Sequence, residues 1–199
     1  MSRVLLCAVV SWLLAPLTAV RADEAEDKAV KVVERFGGTV TRAEKRPGKP
    51  VIAVSLEHPL VTDADLKEVA ALKNLTTFSL DGPLVTDAGL KELAALKYLT
   101  ELHLSITSVT GTGLKELAGL KYLTTLHLSF TKVTDEGLKG LAALENLLEL
   151  DLSYTNLTDA GLKELAAMKN LTTLRVRSTK VTGDGLMILR EALPKCKVE

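Results

Sequence analysis

The chain has 199 residues, 47% hydrophobic and 25% charged, a globular composition that excludes a disordered chain. Its 25 basic and 25 acidic residues cancel, so no charge excess calls for a nucleic-acid partner. That length allows one domain of ordinary size.

The first residues stand apart from the rest. Arg3 gives a short basic start, and Val4 to Val20 is apolar except for Ser11, Pro16 and Thr18. Val20-Arg21-Ala22 places small or short residues where a signal peptidase reads, and Asp23-Glu24 follows at once. That order predicts a secretory signal peptide over 1–22. A membrane anchor is the competing reading, but the run is short for a span and is broken by Pro16. Cleavage removes Arg3 and Arg21 and no acid, leaving a slightly acidic chain with Cys196 as its single cysteine and no intramolecular disulfide. The expectation is an exported protein, periplasmic, cell-surface or secreted, with no stable membrane insertion after cleavage.

Residues 23–60 read as an N-terminal cap. Glu24 to Phe36 carries Ala29, Val30, Val33 and Phe36 on one helical side, and Gly37-Gly38 stops the helix. Thr39 to Thr41 and Val51 to Leu56 read as strands around the polar loop 42–50, where Arg42, Lys45, Arg46 and Lys49 make a small basic, solvated patch.

From Val61 the sequence repeats. Val61-Thr62-Asp63 returns as Val85-Thr86-Asp87, Val109-Thr110-Gly111, Val133-Thr134-Asp135, Leu157-Thr158-Asp159 and Val181-Thr182-Gly183. Five units fill 61–180, and a truncated one closes the chain over 181–199. In each unit, leucines such as Leu114, Leu117 and Leu120 fall at helical spacing with Lys115 and Glu116 between them, which predicts an amphipathic helix of two to three turns. Thr110 and its equivalents, or the Asp that follows in four of the six starts, are the expected N-caps. Leu123-Thr-Thr-Leu126-His-Leu128 then alternates with the two-residue period of a half-buried strand. In the last unit Leu186, Leu189 and Leu193 make a helix and 195–198 a short strand, with Cys196 facing in as a structural thiol.

The strand segment, for example Leu99-Thr-Glu-Leu102-His-Leu104-Ser-Ile-Thr107-Ser-Val109, resembles the leucine-rich-repeat motif L-x-x-L-x-L-x-x-N-x-L. The family's Asn position holds Thr107, Thr131, Thr155 and Thr179, whose hydroxyls can also bond the turn backbone; Pro83 departs from it. The unit looks most like exported bacterial repeats and the helix-backed, ribonuclease-inhibitor-like type. The resemblance implies an α/β fold, a right-handed leucine-rich-repeat solenoid with a curved parallel strand face and helices on the convex side. A single strand and helix cannot bury their leucines alone, so the units must stack around one core.

Residues outside the leucine pattern carry the functional information. Alternation sends Ser79, His103, His127, Asp151 and Arg175 to one central column of the strand face. Thr77, Glu101, Thr125, Glu149 and Thr173 flank it on one side, and Asp81, Ser105, Ser129, Ser153 and Arg177 on the other. Gly82, Ile106, Phe130, Tyr154 and Ser178 line the strand exit, where the apolar three either anchor a partner or cover the core edge. No phosphate loop, nucleophile motif, CxxC pair or HExxH helix occurs.

Like its relatives, the chain is expected to bind a protein or peptide without catalysis or cofactor, as a monomer, through Glu101, His103, His127, Phe130, Glu149, Asp151, Tyr154, Arg175 and Arg177. Two other readings compete. His103, His127 and Asp151 could share a zinc ion and form a metal or enzymatic site, the blander alternative being a cross-strand bond from His127 to Asp151. Alternatively the chain is a structural or self-associating envelope component.

Overall fold

A computed structural model describes residues 16–199, with side chains from 24 onward. The expected signal segment therefore lies largely outside the described residues. Helix α1, Pro16–Arg35, starts earlier than the sequence reading placed it, and Gly37 at φ +70° ends it. Its Ala29 and Val33 are fully buried.

Strands β1 (Thr39–Arg42) and β2 (Val51–Glu57) pair antiparallel. All later strands add in parallel: β3 (Thr77–Asp81), β4 (Glu101–Ser105), β5 (Thr125–His127), β6 (Glu149–Asp151), β7 (Thr173–Arg175) and β8 (Lys197–Val198). Among the described residues they make one open sheet in strict chain order. Each strand lies in register with its counterpart in the next coil, so Phe78 faces Leu102, then Leu126, Leu150 and Leu174. The strand leucines meet those of the backing helices in a single continuous core. Among the described residues every buried side-chain nitrogen and oxygen has a hydrogen-bond partner.

Four of the backing elements are α-helices of the expected two to three turns. Helices α2 (Asp63–Val69), α3 (Asp87–Leu93) and α5 (Asp159–Leu165) have seven residues each, and α6 (Gly183–Ala192) has ten. In the third coil the expected α-helix is instead a 3-10 segment, Gly111–Gly119; in the fourth, the one-turn α4 (Asp135–Leu138) continues as 3-10 over Lys139–Ala143. These two coils carry Gly111, Gly113, Gly119, Gly137 and Gly140, and glycine has the lowest α-helix propensity after proline. Leucines three apart suit the three-residue turn equally well.

The Thr-Asp pair at each coil start also works differently from the expectation. Thr is the N-cap; Thr86 and Thr158, for example, accept from the N–H groups of Ala88 and Ala160 at 3.2 Å. The following Asp does not cap its own helix but reaches into the next coil. Asp63 accepts from the Thr86 N–H (2.9 Å) and hydroxyl (2.7 Å). Asp87, Asp135 and Asp159 do the same to Thr110, Thr158 and Thr182. The bonds from Thr182 hold the Asp159 carboxyl below the usual carboxylate range. Gly111 interrupts this ladder, and a Cβ at that position would sit 2.2 Å from the Gly137 Cα. The coils close up there, backbone against backbone.

A second ladder runs along the strand entries. Thr76, Thr100, Thr124 and Thr172 each donate a hydroxyl bond of 2.9–3.0 Å to a carbonyl of the preceding coil. At the strand exits Thr107, Thr131, Thr155 and Thr179 donate to the carbonyl three residues earlier. Threonine thus fills the motif's turn-bonding position, as its hydroxyl allows. Cys196 is buried as expected, and burial pushes its thiol pKa up.

Candidate functional site on the strand face

Strand pairing puts the expected columns on the outer face of the sheet. Ser79, His103, His127, Asp151 and Arg175 face one another in turn, and so do Thr77, Glu101, Thr125, Glu149 and Thr173. All are exposed or half-buried, while the alternate residues are buried.

The contacts within the columns correct the expected triad. His103 and His127 meet at 2.9 Å between their Nδ1 atoms, with ring centroids 4.4 Å apart and planes nearly perpendicular. His127 turns its Nε2 to Glu149 Oε1 at 2.9 Å, on the diagonal, rather than to Asp151 directly opposite. Asp151 accepts from the Ser153 N–H at 2.8 Å on its own strand's exit. Asp151 is therefore neither the cross-strand partner of His127 nor a third arm beside the two imidazoles. Among the described residues no group of three or more His, Cys, Asp or Glu is arranged to hold a metal.

Glu149 is the hub of the column. Besides His127 it binds the Arg175 guanidinium, and Arg175 continues through Nε to Glu199 Oε2 at 3.0 Å, where Lys197 also binds. The bond from Arg175, then that from His127, holds the Glu149 carboxyl below its ordinary range. Lys197, then Arg175, does the same to Glu199. Burial, reinforced by the neighbouring His127, lowers the His103 pKa. Glu101 lies exposed at the edge of this network.

At the strand exit Ile106, Phe130, Tyr154 and Ser178 all have left-handed backbones, with φ between 53° and 57°. Side chains other than Gly, Asn or Asp rarely adopt that region, and bulky or β-branched ones least of all. The turn holds them there: the N–H groups of Ile106, Phe130 and Tyr154 donate across to Ser129, Ser153 and Arg177 carbonyls. The apolar three stay 52%, 54% and 46% exposed. Phe130 and Tyr154 stack with centroids 4.1 Å apart and planes 8° from parallel. Beside them lies a cleft of about 250 Å³ lined by Ser129, Asp151, Ser153, Arg175, Arg177 and Glu199 as well as the two rings. Of the expected site residues, His127, Phe130, Glu149, Asp151, Tyr154, Arg175 and Arg177 thus gather at one end of the face, with His103 one strand on and Glu101 outside the cluster.

A second apolar strip, at the strand entries, escapes the alternation pattern. Tyr98 and Tyr122 are exposed and stack at 6.3 Å, and Leu148 replaces the Thr of its ladder and stays 42% exposed. The signal lies in the repeat itself, where Asn74, Asn146 and Asn170 occupy the tyrosines' position.

A family model described as Leucine Rich repeat matches residues 119–142, 143–166 and 167–189. No curated protein sequence matches the chain. Among solved structures it is similar to a leucine-rich-repeat protein of Leptospira interrogans, with 29% identity and TM-score 0.58, over 74% of this chain and 36% of that one. It is also similar in fold to two Listeria monocytogenes internalins. Internalin C2 has 22% identity and TM-score 0.55, covering 86% of this chain and 80% of that one. The other, inlF, has 21% identity and TM-score 0.53, covering 74% and 46%. The chain thus spans about a third of the Leptospira protein's length and about half of inlF's. Among the described residues no helix is long and apolar enough to cross a membrane. The in-register coils, the repeats matched over residues 119–189 and the shared parallel-strand architecture show that this chain folds as an α/β leucine-rich-repeat solenoid.

Proposed function

We propose that the chain is a non-catalytic binding module that docks a protein or peptide on the strand face. The docking residues are Phe130 and Tyr154 with Glu101, His103, His127, Glu149, Asp151, Arg175 and Arg177. The observation that carries this reading is the aromatic pair. Two large rings are stacked, about half exposed and held on left-handed backbone beside a polar cleft. Such backbone costs about 1–3 kcal/mol per residue and persists where the surroundings over-determine it, typically at ligand-binding sites. Aromatic anchors inside a polar surround are also the residues that dominate interface energies.

Rigid presentation supports the same reading. The columns are fixed by strand register and by ion pairs already made, so little side-chain entropy is left to lose on docking. Export through a leader over 1–22, a cap over 23–60, repeats over 61–180, a closing unit over 181–199 and a monomeric state belong to the same proposal.

The test is the double variant Phe130→Ala/Tyr154→Ala. Both rings are half exposed, so the thermal midpoint should stay within a few degrees of wild type. In affinity capture from the source organism, a partner held by the wild type should be lost, with affinity down at least tenfold, about 1.4 kcal/mol. Unchanged capture by a folded double variant would refute the reading. A collapse of cooperative unfolding would reassign the rings to the core.

A further inference from the structure

The contact between His103 and His127 constrains their protons. Two imidazoles facing through Nδ1 at 2.9 Å need one nitrogen to donate and the other to accept. The Nε2 of His127 lies against the Glu149 carboxylate at 2.9 Å, so that nitrogen carries a proton. Three states satisfy the geometry: both rings are neutral and His103 donates from Nδ1, or either ring is imidazolium and donates from Nδ1 to its neutral partner. A pair in which both rings are charged has no acceptor and must part.

We propose that His103 and His127 form a one-proton latch that opens in mild acid and re-shapes the centre of the strand face. The charged groups that face the pair are Glu101 on β4, Glu149 and Asp151 on β6 and Arg175 on β7; β3 brings the uncharged Ser79 opposite His103 and Asp81 further along. Glu149 favours a charge on His103 through space, but its oxygen is already bonded to His127 and Arg175, and Asp151 is turned to Ser153, so neither is placed to accept a hydrogen bond from a second imidazolium at His103. Glu101 favours a charge on His103, but burial and the neighbouring His127 oppose it more strongly.

The sign of the pH effect follows. His103 takes up a proton less readily in the fold than in the unfolded chain. Its contribution to stability is full above the ordinary imidazole range and is lost as pH falls through the lowered folded value. Once both rings are charged, His103 leaves the column while His127 stays on Glu149. That the opened latch would alter a partner's footing, making binding weaker in acid, rests on the docking reading above; the latch itself does not.

Long-range ¹H–¹⁵N NMR of the free, full-length protein from pH 8 to 4.5 tests it without any partner. The expected spectrum shows His127 protonated at Nε2 throughout, and His103 titrating below the ordinary imidazole value. Ring-to-ring contacts between the two should vanish once both rings are charged. In His127→Ala the His103 midpoint should move up; in the conservative Glu149→Gln it should move down, because a favourable carboxylate is lost. A wild-type His103 that titrates at the ordinary value and ignores both substitutions would overturn the latch. So would ring contacts that survive protonation of both rings. If capture is lost in acid but the NMR shows no latch, the docking reading stands and the latch falls; if the latch titrates but the double aromatic variant still captures, the reverse holds.

Discussion

Leu126→Ala should cost about 3–5 kcal/mol, a large share of the roughly 5–15 kcal/mol that holds a domain folded. Leu126 is fully buried in β5, in register with Leu102 on one side and Leu150 on the other. Removing its isobutyl group leaves a hole between two rigid rows, because the flanking leucines are fixed by their own strands and cannot collapse inward. Each coil of a solenoid is held by its neighbours, so a defect at the middle of the stack also weakens the coupling between the two halves. Urea unfolding followed by circular dichroism should show a lower midpoint and a broadened or split transition. A loss below about 1 kcal/mol, with a single sharp transition, would mean that the leucine rows do not share one interior.

Gly137→Ala should be nearly as damaging, for the opposite reason. A Cβ on Gly137 would lie 1.8 Å from the Gly111 Cα and 2.5 Å from its carbonyl carbon. These are backbone atoms, and no rotamer change relieves the clash. Overpacking of this kind costs about 1–3 kcal/mol and more where the neighbour cannot move. The gain from a stiffer unfolded chain, about 0.4–1 kcal/mol, does not offset it. Gly89, at the same place in its own coil, is the control. Its Cβ would meet the Asp63 Oδ1 at 2.6 Å and the Leu66 Cδ1 at 2.7 Å, side-chain rather than backbone atoms, which can give way at the cost of loosening the Asp63–Thr86 bond. Gly89→Ala should therefore cost clearly less in the same urea titration. Equal losses would show that the close approach of coils three and four is not a feature of the folded chain.

The same pair of coils shows where the sequence is legible and where it is not. The repeat and its alternation suffice to place the central column and the column from Thr77 to Thr173, because register in a parallel stack follows from the constant period; Ser153 of the third column is instead buried. They also place Thr107 and its equivalents in the turn and Cys196 inside. Helix type is not legible, since leucines three apart serve an α-helix and a 3-10 segment alike, and the glycines of coils three and four decide between them. The role of Asp63, Asp87, Asp135 and Asp159 is hidden for another reason. An N-cap is a local pattern, whereas their partners stand 23 residues away in the next coil. Glu149 escaped its role as hub because pairing opposite residues points His127 at Asp151, and only the rotamers reveal the diagonal. The left-handed backbone at Ile106, Phe130 and Tyr154 leaves no sequence mark, because those residue types normally avoid it.

The ion-pair column and the aromatic pair face the same side of the sheet, opposite the helices with their Lys-Glu pairs. The docking proposal therefore divides the molecule into an engaged face and an idle one. Hydroxyl-radical footprinting of the chain with its captured partner reads that division directly. Protection should fall on Phe130, Tyr154, His103 and His127, while the exposed Met187 and Ile188 on α6 and the helix-side Lys91, Lys115 and Lys163 keep their free reactivity. Protection of the helix side with the aromatic pair unchanged would contradict the account.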